Sequence, residues 1–372
     1  KEQRPKAQQL RILTDFCTAM GHLALIEVYR KMELLNLLPT AQTVILPPAQ
    51  VPNSVYLDYF SQFYPIIRDS KERKFYEALL PLQEQGLSVF ELVDGRVWHL
   101  YEMICATQAA WEDQGGSHLL TLHREHEEMG RDFLRRCGVP EESWFVGLHV
   151  RDTGFEEGAW KHQHRAGRCA HIHTYLPAID EITKRGGWVV RLGDPGMVPL
   201  PRLPQVIDMT LTPSPGPWFD VFVWAKSKFF IATPSGPSEC PPTFGVPVIH
   251  TNYASVSTLP RTSGDLVIPK LVRARGSSQP LPLGEHLRRP ELRFFENLEL
   301  FRKLDVELLD NEPDDIRLAV LEMLDRVEGR AHYSQDDIEA QQRFRKSIRS
   351  NEYTGRAQPA RVFLQKYRAL LD

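Results

Sequence analysis

Apolar runs alternate with stretches of helical spacing along most of the chain. Gln8 to Asp15 reads as a strand that enters a tight loop at Thr18 to His22, and Leu23 to Leu35 then carries apolar residues at helical spacing. Thr43 to Leu46 is a second apolar run closed by Pro47 and Pro48, and Leu87 to Val93 is a third, ended by the turn pair Asp94 and Gly95. Leu119 to Cys137 mixes charged and apolar positions as a helix does and stops at Gly138, Val139 and Pro140. Beyond that stop, strands at Trp144 to Val150, Gly187 to Leu192, Lys228 to Thr233 and Pro247 to Thr251 interleave with helices at Tyr175 to Arg185 and Trp218 to Lys226. Strand and helix in alternation imply a mostly parallel sheet.

Val272 to Leu283, with glycine, serines and prolines, reads as a mobile loop. Ile316 to Glu328 has helical spacing behind the start signal Glu312 to Asp315, and Ser334 to Asp372 reads as two further helices. At 372 residues the chain exceeds one ordinary core. The expected organisation is α/β, two Rossmann-like domains facing a cleft: an N-terminal α/β domain over 1–140, a second domain over 141–330, and helices over 331–372 that pack back on the first domain. No repeat of fixed period interrupts this pattern.

Composition places the chain among ordinary folded proteins, with 42% hydrophobic and 25% charged residues. A net charge of -3 offers no general attraction for nucleic acid or an anionic membrane. Five widely spaced cysteines with no CxxC pair read as reduced thiols, and no run approaches the roughly 18 apolar residues that cross a bilayer. The expected setting is the cytoplasm.

Three strand ends carry the candidate chemistry. His149 and Arg151 lie two apart at the end of one strand and so share a face, where Arg151 can offer a two-pronged fork to a phosphate. The alternative is a core histidine beside an Arg151–Asp152 turn pair. At the second strand end, Arg191 suits a phosphate, while Gly193 and Asp194 suit a ribose or base contact or a simple turn. At the third, small and hydroxyl residues from Thr233 through Ser235 and Gly236 let the backbone approach a pyrophosphate, and the following strand ends at Thr251 and Asn252. In a parallel sheet, ligands bind beyond such ends, so the three together outline one crevice for an anionic ligand. The segment Gly154 to Arg168 adds His162, His164, Arg165 and Arg168 as groups that can close over it. His162, His164, Cys169, His171 and His173 have no zinc-like spacing, so no metal site is assigned.

In this order, His149 to Asp152, Arg168, Tyr175 to Ile179, Arg185 to Asp194, Asp220 to Phe222, Phe229 to Gly236 and Gly245 to Asn252 resemble a family of bacterial glycosyltransferases, over about Trp144 to Gly329. That family is distantly similar to the protein O-fucosyltransferases and the α1,6-fucosyltransferase, which have a GT-B-like fold. The resemblance implies a nucleotide-diphosphate sugar as donor substrate, no separate cofactor, and a glycan, lipid-linked or protein acceptor on the side of the first domain. It implies a role in surface polysaccharide or glycoconjugate synthesis, with membrane association only through other enzymes of that synthesis. It puts Arg151 on the donor β-phosphate, His149 and Asp194 near the nucleotide, and Ser235 and Gly236 beneath the pyrophosphate. Arginine then offsets the charge of the leaving diphosphate without a metal, with Arg168 and Arg191 as further candidates. The acceptor proton needs a base, for which Glu156, Glu157, Asp152 and His22 are candidates. A non-catalytic nucleotide- or glycan-binding module is the rival reading; a nicotinamide oxidoreductase is disfavoured because no GxGxxG follows any expected strand.

Overall fold

A computed structural model describes residues 9–82, 88–152, 167–254, 259–289, 298–348 and 355–371. The chain divides into two compact units, Lys1–Leu120 and Thr121–Asp372. The division falls before the Gly138 helix stop, where the pattern had suggested a boundary at 140. The reason is that α5 (Arg124–Arg136) packs on α7 (Pro217–Lys226), through Phe133 against Phe219 at 4.6 Å between ring centres.

In the first unit, β1 (Gln9–Leu13) pairs in parallel with β2 (Ala41–Ile45), and α1 (Met20–Leu34) connects them. Short α2 (Ser54–Asp58) and α3 (Ser70–Leu79) follow, then an antiparallel hairpin of β3 (Val89–Glu91) and β4 (Val97–His99), and α4 (Leu100–Asp113) packed on α1. Ile12, Val44, Leu46 and Ile67 form a small core over the paired strands.

The second unit is built on a seven-stranded parallel sheet of order β13–β10–β9–β8–β5–β6–β7. Its strands are β5 (Phe145–His149), β6 (Trp188–Arg191), β7 (Val206–Asp208), β8 (Phe230–Ala232), β9 (Val248–Tyr253), β10 (Leu266–Pro269) and β13 (Gln358–Pro359). β5 is buried along its whole length, as a central parallel strand covered on both faces must be. From β5 the chain builds outward through β6 and β7, then returns to the other side of β5 as β8. The strand order therefore reverses between β5 and β8.

α6 (Leu176–Lys184) and α10 (Pro313–Val327) pack on each other over one face of this sheet, and both start with proline in the first turn, where the missing N–H costs nothing. An antiparallel ribbon of β11 (Leu271–Ala274) and β12 (Val306–Leu309) flanks α8 (Leu283–Arg288) and α9 (Leu298–Lys303) in sequence. Thus the segment expected as a loop from Val272 begins as a strand, because Leu271 and Val272 are buried and their partners Leu309 and Leu308 lie more than thirty residues on, beyond the reach of local pattern. α11 (Gln335–Ile348) and α12 (Arg361–Lys366) bury Phe344, Ile348, Phe363 and Leu364 in the second unit's core. These helices belong to the second unit: β13 between them joins the sheet edge at β10 and draws their apolar faces to that core. No described helix is long and apolar enough to cross a membrane.

Candidate functional site

Side-chain alternation on β5 sorts the site. Val146, Leu148 and Val150 face the core shared with Ile179 and Ile182 of α6 and Val320, Met323 and Leu324 of α10. Phe145, Gly147, His149 and Arg151 face the other way, where Phe145 stacks on Phe222 of α7 at 5.7 Å. Gly147 is required by crowding: a Cβ there would lie 2.2 Å from the Phe230 ring and 2.8 Å from Ser227 Oγ.

The ends of β5 and β8 are laced together at the reversal of strand order. The Thr233 N–H donates to the His149 carbonyl at 3.2 Å, and the Arg151 N–H donates to Thr233 Oγ1 at 2.9 Å. Ser235 Oγ lies 3.2 Å from His149 Nδ1. Burial, reinforced by the charges of Arg191 and Arg151, pushes the His149 imidazole down to about 4, so it is neutral at neutral pH. Arg151 is buried at the same strand end. Gly236 opens a 3₁₀ turn, Gly236–Glu239, that Ser235 caps reciprocally with Ser238. His149, Arg151, Ser235 and Gly236, expected from sequence to share a site, are therefore brought together at neighbouring strand ends.

Arg168 is tethered nearby, since the Ala170 N–H donates to the Arg151 carbonyl at 2.9 Å. Glu156, Glu157, His162, His164 and Arg165 lie outside the described residues. Beside Asp152 opens a cavity of about 500 Å³, lined by Cys169, His171, Lys270, Phe301, Arg302 and Asp310 among others. Its volume is in the range of small-molecule pockets. Lys270 is buried, with its ammonium on the Cys169 carbonyl at 2.9 Å and on Asp310 at 2.6 Å. Among the described residues no group of three or more His, Cys, Asp or Glu side chains is arranged to hold a metal ion.

Other expected site residues have different surroundings. Arg191 is wholly buried and donates to Asp208 at 3.0 Å, so its fork is turned into the unit and not toward a phosphate. Gly193 is hemmed in by Met197 Sδ and Thr210 Cγ2, each 2.9 Å from where a Cβ would be. Asp194 remains at the strand end, its carboxyl raised above the ordinary range by burial. Asp220, at the start of α7, is raised to about 7 by burial and by the charge of Asp194.

Asn252 is also fully buried, and its role as a ligand contact is corrected. It has the left-handed φ of 50°, its Oδ1 accepts from the Asn311 N–H at 2.8 Å, and its Nδ2 donates to Tyr175 OH at 3.1 Å. Asn311 answers by accepting from the Asn252 N–H. This clasp ties β9 to the entry of α10, and nothing in local sequence pairs residues so far apart. His22, on α1 of the first unit, has its Nδ1 3.2 Å from Thr18 Oγ1. Thr233, part of the third strand-end signal, joins the ends of β5 and β8. Asp208, the buried partner of Arg191, is the neighbour that sequence reasoning passed over, and its place as the last residue of a short strand was the available signal.

No family model matches the sequence, and no curated protein matches it significantly. Among solved structures, the chain is similar to the glycosyl transferase family 9 protein from Veillonella parvula DSM 2008, with 11% identity, a TM-score of 0.44, and coverage of 70% of this chain and 86% of that one. It is similar to the iron-containing dodecameric glycosyltransferase TibC from enterotoxigenic E. coli H10407, with 14% identity, a TM-score of 0.38, and 66% and 60% of the two chains covered. A third is E. coli ADP-heptose LPS heptosyltransferase II, with 11% identity, a TM-score of 0.37, and 66% and 84% covered. At such identities site residues do not carry across, and the functional reading rests on the strand ends themselves.

Proposed function

We propose that the chain is a glycosyltransferase that binds a nucleotide-diphosphate sugar at the strand ends of the second unit and transfers the sugar to a glycan, lipid-linked or protein acceptor. One observation carries the reading: a buried arginine, a neutral histidine and a serine–glycine turn meet where the strand order reverses between β5 and β8. In open parallel sheets that reversal is where ligands bind. Arg151 supplies the positive charge for the diphosphate, and in this reading arginine rather than a metal ion offsets the charge that develops on the leaving group. A neutral His149 adds a hydrogen bond without repelling Arg151. The small turn at Ser235 and Gly236 leaves the backbone free to approach phosphate oxygens. The cavity beside Asp152 offers room for the remainder of the ligand. For the acceptor proton, Asp152 is the carboxylate at this cavity that directly follows Arg151, and its Oδ2 already accepts from the Val198 N–H at 2.8 Å.

The test is a thermal-shift screen against nucleoside diphosphates and nucleotide sugars, with Arg151→Ala alongside. A ligand at a hundredfold its Kd adds about 2.7 kcal/mol to the folded state, or roughly 5 to 10 °C for a unit of this size. The expected result is a shift with diphosphates of one base that disappears in Arg151→Ala. Slow release of nucleoside diphosphate from the matching nucleotide sugar distinguishes a transferase from a binding module. A flat screen overturns the donor-site reading and leaves Arg151 a structural residue.

A further inference from the structure

Arg191 stands one strand away from Arg151 and, from sequence, offers the same fork to a phosphate. Its surroundings assign it different work. Arg191 is level with Leu148 across the β5–β6 pair, on the core-facing side, and no part of it reaches the surface. Its Nη1 donates to Asp208 Oδ2, while its Nε and Nη2 have no hydrogen-bond partner among the described residues. A buried guanidinium so incompletely bonded is a costly way to stabilise a fold. Its charge is lodged instead near two carboxylates, Asp208 and Asp152, both of which attract it.

Those two carboxylates hold one and the same loop, the connection from β6 to β7. Asp208 Oδ2 accepts from the Leu200 N–H at 2.7 Å, and Asp152 Oδ2 accepts from the Val198 N–H at 2.8 Å. Asp208 Oδ1 takes the Thr210 N–H at 3.0 Å and the Thr210 hydroxyl at 2.8 Å, which fixes the turn that follows β7. Inside the loop, the Met197 N–H donates to the Asp194 carbonyl at 3.0 Å, and Gly193 is wedged between Met197 and Thr210. The chain of contacts thus runs from Arg191 through Asp208 to Leu200, with Asp152 holding Val198 in the same loop, and from Met197 to Asp194 at the rim of the site.

We propose that Arg191 is a positioning residue: its buried guanidinium holds Asp208 aimed at the β6–β7 loop, which Asp152 grips alongside, and so sets where Asp194 meets the ligand. The inference rests on the donor-site reading for its functional half, and its structural half stands apart from that reading. Charge-assisted bonds to backbone N–H groups are the strong ones, so removing the cation should loosen this loop before it loosens the sheet.

The experiment compares the full chain with Arg191→Met, Arg191→Lys, Asp194→Asn and the double variant Arg191→Met/Asp194→Asn. Amide hydrogen exchange reports the loop, and titration with the nucleoside diphosphate found in the thermal-shift screen reports the ligand. In Arg191→Met, exchange over residues 193–200 should rise by about tenfold or more while Leu148 and Ile231 in the central strands change far less. Diphosphate affinity should fall by about tenfold in Arg191→Met, recover in part in Arg191→Lys, and fall little further when Arg191→Met is added to Asp194→Asn. Should Arg191→Met fail to fold, the exchange and affinity of Arg191→Lys decide alone, both intermediate if the inference holds. Unchanged exchange over 193–200, or losses that multiply independently in the double variant, would overturn it. If the wild-type chain binds no nucleoside diphosphate, the donor-site reading has failed, and the exchange arm still decides whether Arg191 holds the loop.

Discussion

Replacing Asn252 by alanine separates a structural clasp from a ligand contact. Asn252 is fully buried at φ 50°, a conformation that asparagine tolerates better than alanine, so alanine there adds about 1 kcal/mol of backbone strain. The substitution also removes the acceptor of the Asn311 N–H, leaving a buried donor unsatisfied at roughly 1 to 3 kcal/mol, and removes one bond to Tyr175 at about 1 kcal/mol. Tyr175 keeps its 2.6 Å partner Thr251, so no second orphan is created. The sum is a loss of about 3 to 5 kcal/mol, or roughly 10 °C in Tm for the second unit. Asn252→Gly relieves the strain and should be milder by about 1 kcal/mol. Urea and thermal unfolding followed by circular dichroism measure both variants. An Asn252→Ala protein that unfolds within 1 kcal/mol of wild type, or one that loses only ligand binding, would refute the clasp.

Gly147→Ala forces a methyl group to within 2.2 Å of the Phe230 ring, and the urea midpoint should fall by the equivalent of roughly 1 to 3 kcal/mol. His149 is held neutral, so between about pH 6.5 and pH 4 the unfolded chain binds the extra proton; the stability this histidine contributes is complete above pH 6.5 and is lost as the pH falls through about 4. Unfolding curves at pH 7 and pH 4.5 should therefore differ less in His149→Gln than in wild type. Asp220 has the opposite sign: its folded carboxyl titrates at about 7, far above the unfolded value, so stability declines as the pH rises through 7. Asp220→Asn should raise Tm at pH 8 and leave it nearly unchanged at pH 4.5, and an equal change at both would show that burial and the Asp194 charge are not the cause.

Sequence by itself determined the parallel α/β character of the second unit, because strands buried on both faces read as near-continuous apolar runs such as Phe145 to Leu148 and Phe229 to Ala232. It also determined that charged and small residues stand at the ends of those strands. Tertiary structure alone decided which strand ends meet. His149 and Arg151 are joined to Ser235 because β8 returns beside β5, a pairing across more than eighty residues. Arg191 turns inward because its level on β6 matches Leu148, and Asn252 is claimed by Asn311, fifty-nine residues on. A charge on a strand end looks the same in sequence whether it meets a ligand or a buried carboxylate. Only the register of neighbouring strands, set by long-range packing, tells the two apart.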